Sequence, residues 1–536
     1  MPWMDEWTAS QIGFEKVKNS LQPHSLYGQR HKQARRPFGA GDEAAWQADH
    51  EDVMRLFRGV DDVTAKTGGF RRWTEAFQGM PDVRNVPALL VNGATLQIEQ
   101  VAALKRFSVQ VMELGEGLAS EEIDFSWWDI QGMGDVVHHL SDHAAVRSRD
   151  FSLKDLGDSL YDQAVRDFLQ ARAKRLDAER VYLKELAMEY EVPMRRDQTL
   201  LISLDELAKT ERARRDERLR IRVQTQFDVV FDPQWPASFQ AYSRQEELHA
   251  EKLQGEEARM LRELSDLLQP FVGIVENAMD CVGRLDELFA RVRWATSKGD
   301  VFSQLGPQIC VKAGRQPDSP DWMPVDVEFH EKVALLTGPN MGGKSAAQKT
   351  WLLLQACHQM GYPVSAQAYV APLFDALRYV GGDAQSMKSG LSSFGAEMVM
   401  VKEALEIIDG FLCFDEIGRH TNPAEGEAII AALLEELSQK RTGQFVLATH
   451  FSLPVKAGVQ YLRVAGLQED DLPDEEEYGS QESAIARLNA AMDYRIVDME
   501  NGEVPRQGLK IAKWLGVPKS LLEKAEKVLD EKERSR

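Results

Sequence analysis

One eight-residue segment constrains the fold of this chain more than any other. The segment fits the pattern G-x-x-x-x-G-K-[ST] in full: Gly338, Pro339, Asn340, Met341, Gly342, Gly343, Lys344 and Ser345. It follows the apolar run Val333–Thr337 and precedes a helical window over 346–355. Glycines in this setting let backbone N–H groups close around phosphate oxygens, and the new helix presents its positive end to the same charge. The sequence therefore predicts a strand, a phosphate-binding loop and a helix in direct succession.

The side chains of this loop, with two acids further along, predict ATP and Mg²⁺ as ligands. Lys344 is expected to reach the β- and γ-phosphates, and the Ser345 hydroxyl is expected to ligate Mg²⁺. Asp415 and Glu416 follow the apolar run 411–414, well downstream of the loop. Asp415 is expected to hold the Mg²⁺ shell, and Glu416 to orient and deprotonate the attacking water. This arrangement predicts an enzyme that hydrolyses ATP to ADP and phosphate.

A histidine follows the third apolar run of this region. His450 comes shortly after Gln444–Ala448, at a strand end that faces the γ-phosphate in sheets of this kind. The histidine can simply cap the strand, but the setting favours phosphate sensing or positioning of the attacking water. With Glu416 and Lys344 it completes the predicted catalytic set. Continuous apolar strands that alternate with helical windows indicate a buried, largely parallel sheet after about Gly299.

The rest of the chain reads as mostly helical, and its composition divides the chain into three parts. Residues 1–150 are predicted to form a helical core domain, and 151–298 two long charged helices with a clamp-like tip at about 195–240. Residues 299–536 are predicted to form the α/β domain. The first long helix is expected over 156–191 and the second over 245–292. Helices this polar cannot be buried on all sides, so we expect them to pair like coiled-coil arms.

The predicted tip holds the most basic stretch of the chain, and its cations alternate with acids. The basic residues are Lys209, Arg212, Arg214, Arg215, Arg218, Arg220 and Arg222, and the acids are Asp205, Glu206, Glu211, Asp216 and Glu217. Opposite charges at helical spacing form pairs with one another. A solvated segment with internal ion pairs is therefore favoured over a tip that contacts phosphates.

The composition limits the partners and the setting of the protein. Its 536 residues carry a formal net charge of −21, which counts modestly against free DNA as a partner without excluding it. No apolar run of about 18 residues supports a membrane span, and the first residues do not form a secretory signal. The four cysteines lie far apart among apolar neighbours. This favours buried thiols in a reduced, cytoplasmic compartment.

Four motifs together resemble the MutS family of ABC-type ATPases. They are 337–345, 392–398 (Ser-Ser-Phe-Gly-Ala-Glu-Met), 415–419 (Asp-Glu-Ile-Gly-Arg) and 448–451 (Ala-Thr-His-Phe). The resemblance is close over about 300–530. It implies an α/β ABC-type P-loop ATPase domain with a C-terminal helical dimerisation segment, preceded by a mostly α-helical core and lever region. It also implies a homodimer, or a heterodimer with a MutS-like partner, in which the ATP site of one subunit is completed by Ser392, Ser393, Phe394 and Glu397 of the other.

Two features depart from the family pattern. The Phe-x-Glu wedge of the N-terminal mismatch-reading domain has no counterpart near the start of the chain, so that domain is expected to be absent; the Phe-x-Glu at 329–331 abuts the strand before the loop. The glycine-rich continuation after Asp-Glu-Ile-Gly-Arg is altered to His-Thr-Asn-Pro-Ala-Glu-Gly at 420–426. Because this loop lies at the dimer contact in the family, communication between subunits is expected to differ, while hydrolysis keeps its residues.

Two functions fit the resemblance. In the first, closure of the ATP-bound dimer is coupled to DNA binding or processing, related to mismatch repair but without mismatch reading. In the second, the same lever remodels a protein client, as in MutS-like reactivating factors of adenosylcobalamin-dependent aminomutases such as lysine 5,6-aminomutase; the Thr-Asn-Pro-x-Glu-Gly variant is similar to that group. The acidic charge and the missing wedge favour the second function. Family frequency and the arginine-rich tip favour the first, which is narrowly preferred.

Overall fold

The computed structural model describes residues 2–67, 69–141, 148–317, 323–339, 343–382, 392–440, 442–451, 453–467, 492–499, 509, 512 and 517–534. Three residues of the predicted loop, Asn340, Met341 and Gly342, therefore lie outside the described residues. By its internal contacts the chain divides into two compact units. Unit 1 comprises Met1–Gln78, Ser120–Phe125 and Val282–Arg536, and unit 2 comprises Gly79–Ala119 and Ser126–Cys281. The three-part division at 150 and 298 follows composition along the chain and stays a prediction.

Unit 1 begins with five helices. They are α1 (Glu6–Ile12), α2 (Phe14–Ser20), α3 (Leu26–Ala34), α4 (Glu43–Thr67) and α5 (Gly69–Gln78). The Asp5 carboxylate caps α1 by accepting a hydrogen bond from the Thr8 N–H at 2.6 Å, and Gly13 ends the helix with φ +73°. The apolar side chains of Ile12 and Phe14 are buried in the core of unit 1. The two short helices are therefore fixed by their ends and by apolar burial.

Unit 2 is mostly helical. Its helices are α6 (Val86–Val91), α7 (Ile98–Ser120), α8 (Met133–His139), α9 (Ser159–Glu189), α10 (Leu207–Arg215) and α11 (Ala237–Leu268), with 3₁₀ helices at Leu153–Leu156 and Gln269–Phe271. A further helix, α12 (Val272–Lys298), has residues in both units.

The two long charged helices of unit 2 pack side by side, as predicted. Helix α9 agrees with the predicted range, and it contacts α11 through an ion pair between Arg259 and Asp158 at 2.8 Å and another between Arg175 and Glu246. The prediction of one unbroken second helix over 245–292 was wrong. The chain forms a 3₁₀ turn around Pro270 and then starts α12, because proline lacks the N–H that an α-helix interior requires.

The predicted tip is a small α/β subdomain within unit 2. Three strands, β1 (Leu200–Ser203), β2 (Leu219–Gln224) and β3 (Asp228–Pro233), form an antiparallel sheet in the order β1-β3-β2. Ile202, Val229 and Phe231 point to the face that buries Leu186 and Tyr190 of the α9 end. The sequence indicated breaks in this segment but not the sheet.

After α12, the described residues of unit 1 form two sheets and four helices. The strands are β4 (Gln304–Leu305), β5 (Cys310–Gly314), β6 (Val325–Glu328), β7 (Val333–Thr337), β8 (Ala368–Ala371), β9 (Ala376–Val380), β10 (Gly410–Asp415), β11 (Gln444–Ala448), β12 (Val459–Leu467) and β13 (Met492–Asp498). The helices are α13 (Lys344–Gln359), α14 (Ser393–Leu405), α15 (Pro423–Gln439) and α16 (Lys519–Arg534). The smaller sheet has the order β4-β8-β5-β6.

The larger sheet has six strands in the order β13-β12-β7-β11-β10-β9. All neighbours from β12 to β9 are parallel, and β13 is antiparallel to β12. This confirms the prediction of a largely parallel sheet and of its strands β7, β10 and β11. Successive strand residues point to opposite faces. Phe411 packs in the core that contains Trp351 of α13, and Leu412 in the core that contains Met400 and Leu433, so helices cover both faces.

All four cysteines have free thiols, and Cys281, Cys357 and Cys413 are buried, whereas Cys310 is partly exposed. Among the described residues, none of the helices combines the length and the apolar character that a membrane crossing needs.

Candidate functional site

Two glycines of the predicted loop take backbone conformations that side chains resist. Gly338 follows β7 with φ +150°, and a Cβ there would lie 3.0 Å from the Val464 Cβ. Gly343 directly precedes α13 with φ +85°, and a Cβ there would lie 3.1 Å from Tyr494 Cδ1. Only glycine adopts such conformations freely at such close approach. These two positions explain why the pattern contains glycine between the strand and the helix.

Lys344 joins the loop to one of the predicted acids. It is the first residue of α13, and its side chain is 4% exposed. The Nζ atom donates to Gly338 O at 3.0 Å and to Pro339 O at 3.2 Å, and it lies 3.4 Å from Glu416 Oε1. Glu416 follows β10, which is separated from β7 by β11. The loop lysine and the predicted base therefore meet at the carboxyl edge of the parallel strands.

Glu416 owes its direction to an uncommon backbone conformation. Its φ is +51°, in the left-handed region that residues other than glycine seldom occupy. The Glu416 N–H donates to Ala448 O at 2.9 Å, and its carboxylate forms ion pairs with Lys344 and, at 3.6 Å, with Arg419. Strain of this kind persists where the surroundings hold it, and it is concentrated at functional sites.

Asp415, the last residue of β10, has one satisfied and one unsatisfied carboxylate oxygen. Its Oδ2 accepts a hydrogen bond from the Tyr379 hydroxyl at 2.6 Å. Its Oδ1 is buried and has no hydrogen-bond partner among the described residues. A buried carboxylate oxygen without a donor is costly unless a ligand satisfies it. Asp415 therefore has the property expected of a cation ligand.

Ser345 lies beside Asp415 through the same tyrosine. It is partly exposed in the first turn of α13, and its side chain hydrogen-bonds to Tyr379. Burial, and next the charge of Asp415, raises the pKa of Tyr379 far above its usual value, so the phenol keeps its proton. Carboxylate and hydroxyl oxygens are ligands that Mg²⁺ takes, together with phosphate oxygens and water. The residues present fit Mg²⁺.

His450 lies at the end of β11, next to Thr449, and its side chain is exposed. Its ring packs against the Phe451 ring with the centroids 4.3 Å apart. Thr449 is buried, and its N–H donates to Leu336 O at 3.0 Å. The strand end is therefore anchored to β7, and the role of His450 toward a phosphate stays a prediction.

The segment predicted to act across a dimer forms the start of α14. Ser392 is the N-cap residue, whose Oγ accepts from the Gly395 N–H at 3.1 Å, and Ser393 is the first helical residue. Both serines are exposed, and Phe394 is partly exposed. The Glu397 carboxylate accepts from the Gly418 N–H at 3.2 Å within the same subunit. The serines are accessible to a partner, whereas Glu397 also supports the loop after Asp415 and Glu416.

The altered loop after Arg419 forms the start of α15. Asn422 caps this helix by accepting from the Ala424 N–H at 3.0 Å, and Pro423 occupies the first helical position. Gly418 and Gly426 meet there: a Cβ on Gly418 would lie 2.9 Å from the Gly426 Cα. The variant sequence therefore encodes a helix start with a close backbone contact.

Two residues that sequence patterns did not single out complete the site. Gln348 of α13 is fully buried, and its Nε2 donates to Phe414 O at 3.1 Å and to Val446 O at 3.2 Å. It thereby ties the helix after the loop to β10 and β11. Tyr379 of β9 contacts Asp415. In the sequence each of the two is a polar side chain within an otherwise apolar helix face or strand. That pattern indicates a buried polar group but does not show which residue the group contacts.

Most of the basic residues predicted for the tip are paired with acids of unit 2. Lys209 contacts Glu206 at 3.0 Å and Glu191 at 3.2 Å, and Arg218 contacts Asp216 at 2.7 Å. Hydrogen bonding from Arg218 lowers the pKa of Asp216 to about 2. Further pairs join Arg212 to Glu189 and Arg222 to Asp197. The interpretation of this stretch as a solvated segment with internal ion pairs is confirmed for these side chains.

Comparison with known proteins finds similarity to MutS proteins in part of the chain. Residues 334–533 match the family model of MutS domain V. The chain is similar to Endonuclease MutS2 of Gemmatimonas aurantiaca, with 30% identity over 314 residues that cover 56% of this chain and 36% of that protein. It is also similar to Endonuclease MutS2 of Thermotoga neapolitana (30% over 231 residues, 41% of this chain and 30% of that protein) and of Streptococcus sanguinis (32% over 200 residues, 36% and 26%).

The fold and the site define a mixed α/β protein with a glycine-rich loop between a parallel strand and a helix, beside two acids at the same sheet edge. The matches span about a third or less of the length of these relatives. Within those limits, residues 334–533 match a domain of the MutS family, and the chain is similar to proteins named Endonuclease MutS2.

Proposed function

We propose that this chain is a MutS-type ATPase with an ABC-type P-loop fold, which binds ATP with Mg²⁺ at 338–345 and hydrolyses it as a homodimer or with a MutS-like partner. The observation that carries the proposal is the meeting of Lys344, Glu416 and Asp415. The lysine ammonium lies 3.4 Å from Glu416 Oε1, and Asp415 has a buried oxygen without a hydrogen-bond partner among the described residues. A phosphate-binding cation and two acids at one sheet edge are the parts that phosphoryl transfer to water requires.

Each part of the site has one task in this proposal. Residues 338–343 surround the phosphates with backbone groups, and Lys344 balances the β- and γ-phosphate charge. Ser345 and Asp415 hold Mg²⁺, which supplies positive charge against the charge that develops on phosphate oxygens. Glu416 accepts the proton of the attacking water, and His450 positions that water or senses the phosphate.

Three substitutions test the chemistry. Glu416→Gln is expected to keep ATP binding, because the amide has nearly the same shape, and to lower turnover about 10²–10⁴-fold, the usual contribution of a general base. Lys344→Ala is expected to weaken ATP binding itself. Glu435→Gln is the matched control, since the Glu435 side chain is 67% exposed on α15. Phosphate release and binding of a fluorescent ATP analogue are measured, and retained turnover in Glu416→Gln would exclude Glu416 as the base.

We further propose that ATP-driven closure of the dimer is coupled to DNA binding or processing. The support is the match of residues 334–533 to MutS domain V and the similarity to proteins named Endonuclease MutS2. A protein client is the second candidate, because several tip cations, among them Lys209 and Arg218, already pair with carboxylates of unit 2. Paired, exposed charges have less to gain from a phosphate than free ones.

The client is tested by measuring the ATPase rate with and without duplex and branched DNA at about 50 and 200 mM salt. A DNA role predicts stimulation, and binding that falls steeply with salt as counterions are released from the phosphates. Glu416→Gln with ATP provides the state in which binding is measured without turnover. The absence of DNA binding at low salt would contradict the DNA role and leave the protein client.

A further inference from the structure

Tyr379 lies where two parts of the nucleotide site meet. It is on β9, it is 3% exposed, and it is paired in register with Cys413 of β10. Side chains two residues apart on a strand share a face. Asp415, two residues after Cys413, therefore points to the same side of the sheet as Tyr379. Helix α13 covers this side, and it brings the Ser345 side chain to the same phenol.

One hydroxyl thus contacts both residues proposed to hold Mg²⁺. The Tyr379 hydroxyl donates to Asp415 Oδ2 at 2.6 Å, and Ser345 hydrogen-bonds to the phenol oxygen. Asp415 Oδ1 has no hydrogen-bond partner among the described residues. A carboxylate held through one oxygen keeps the other oriented for a cation, which is how groups around a metal site fix its ligands.

We propose that Tyr379 is a positioning residue of the Mg²⁺ site, which orients Asp415 and Ser345 for the cation. This inference rests on the proposed ATPase function. Tyr379 does not take part in the transfer of the proton or of the phosphoryl group. It reduces the freedom of the two ligands before the cation binds.

The tyrosine is itself held by the first helix of the chain. Its N–H donates to Thr8 Oγ1 at 3.0 Å, and Thr8 is fully buried on α1. The Lys349 ammonium lies 5.0 Å from the centre of the Tyr379 ring and donates to Gln11 Oε1 at 2.8 Å. A cation over an aromatic ring attracts it electrostatically. Helix α1 therefore restrains the backbone and, through Lys349, the ring of Tyr379.

The backbone after Tyr379 leaves no room for Asp415 to shift. Gly381 has φ +154°, and a Cβ there would lie 2.9 Å from both the Asp415 Cβ and the Asp415 O. Gly381, directly after β9, thus lies close to the Asp415 backbone, and the Tyr379 hydroxyl of β9 contacts its carboxylate. The aspartate is therefore confined on both sides by β9 and the residue that follows it.

The test removes one oxygen atom. Tyr379→Phe is compared with Tyr369→Phe, because Tyr369 is also fully buried in unit 1 and also donates a 2.6 Å hydrogen bond, to Gln355 Oε1, without contacting Asp415 or Ser345. Binding of a fluorescent ATP analogue is titrated with Mg²⁺, and separately measured in EDTA. Thermal unfolding of both variants is recorded. A third variant, Thr8→Val, removes the hydrogen bond from the Tyr379 N–H to Thr8 Oγ1 and leaves the Tyr379 hydroxyl in place.

Tyr379→Phe is expected to raise the Mg²⁺ concentration for half-maximal binding about tenfold, the low end for loss of a group that supports a metal ligand. Binding in EDTA should be unchanged, Tyr369→Phe should resemble the wild type, and Thr8→Val should shift the Mg²⁺ requirement in the same direction by less. An unchanged Mg²⁺ requirement in Tyr379→Phe, with wild-type binding intact, would overturn the positioning role alone. A wild-type protein that does not bind the analogue with Mg²⁺ would overturn the ATPase proposal, and the role of Tyr379 with it.

Discussion

At residue 416 the side chain is directed by the backbone, since φ +51° turns Glu416 away from the strand direction and toward Lys344. The neighbouring Asp415 keeps the strand direction and points to Tyr379. Two adjacent acids therefore serve different partners. A left-handed residue between a strand and a glycine turn separates the proposed base from the proposed cation ligand without a second segment of chain.

The close contact of Gly381 with Asp415 leads to a prediction for a single methyl group. Gly381→Ala is expected to lower the free energy of unfolding by about 1–3 kcal/mol, because φ +154° is strained for alanine and its Cβ would meet Asp415 at 2.9 Å. The Mg²⁺ requirement should rise as well. Gly39→Ala is the control, since its Cβ would lie 3.4 Å from the nearest atom, an ordinary contact. Chemical denaturation of both variants is measured, and equal stability would contradict the strain argument.

The sequence predicted those residues of the candidate site that lie directly at strand ends. Lys344, Asp415 and Glu416 could be grouped because the carboxyl ends of parallel strands share one edge of a sheet. Tyr379 could not be added, because its contact with Asp415 depends on the register of β9 against β10. Register is fixed by the packed sheet, and no local pattern around residue 379 encodes it.

The N-terminal segment, residues 2–5, contacts strand β9, which the sequence did not predict. Strand β9 is an edge of the six-stranded sheet, and Trp3 O accepts from the Leu377 N–H at 2.7 Å. Arg378 donates to Pro2 O at 2.8 Å and to Trp3 O at 3.1 Å, and pairs with Asp5 at 3.2 Å. Open strand edges invite unwanted pairing, and this segment covers one.

Arg378→Ala tests how far this cover stabilises unit 1. Removal of the guanidinium takes the Arg378 donor from Pro2 O and breaks the ion pair with Asp5, whereas Trp3 O keeps its hydrogen bond from the Leu377 N–H. The expected cost is about 0.5–1.5 kcal/mol. Arg71→Ala is the control, because the Arg71 side chain is 86% exposed and pairs only locally with Glu75. The melting temperature and light scattering on heating are measured. A melting temperature of Arg378→Ala equal to that of the control would show that the segment contributes nothing to stability.

We expect the stability of the protein to depend on pH through the buried histidine of helix α13. His358 is fully buried, its Nδ1 lies 2.8 Å from Ser303 Oγ, and its ring packs on the Trp46 ring at 4.9 Å. Burial, and next the charge of His50, lowers the pKa of His358 to about 3. As the pH falls through about 6.5, this histidine is protonated in the unfolded chain but stays neutral in the folded protein. The contribution of neutral His358 to the free energy of unfolding is therefore present above about pH 6.5 and is lost as the pH falls below it.

Between pH 7 and pH 5 this histidine should lower the free energy of unfolding by about 2 kcal/mol. His358→Gln is expected to be less stable than the wild type at pH 7 but to lose less stability on going to pH 5. His330→Gln, with His330 half exposed, serves as the control and should follow the wild type. Urea denaturation at the two pH values gives the comparison. Identical losses in all three proteins would refute the assignment to His358.

The elements themselves were predicted unevenly, for identifiable reasons. Strands β7, β10 and β11 were found because they are continuous apolar runs, and α9 because its charge pattern is long and regular. The second long helix was predicted to continue past Pro270, because the apolar periodicity of the sequence resumes after the break. The sheet of the tip was missed because its strands are short and β2 is almost wholly exposed, so they lack the alternation that marks a strand.

For the whole molecule, the net charge and the state of assembly bear on whether the protein binds DNA. A net charge of −21 resists non-specific association with nucleic acid, so any DNA contact must come from a local surface or from a partner subunit. The exposed start of α14, Ser392 and Ser393, is the surface that the dimer proposal uses. Their exposure is compatible with a site that is completed only when two subunits meet.

Assembly is tested with the variant that binds ATP without turnover. Glu416→Gln with ATP and Mg²⁺ is expected to sediment as a dimer, and addition of Ser393→Arg should keep it monomeric, because a bulky cation would replace a small hydroxyl at the contact. Arginine there also opposes the positive end of α14, at a cost of about 0.3–1 kcal/mol. Ser159→Arg is the control, since Ser159 is equally exposed in the first turn of α9. Sedimentation velocity distinguishes the cases, and a dimer that forms equally well with Ser393→Arg would exclude the start of α14 from the contact.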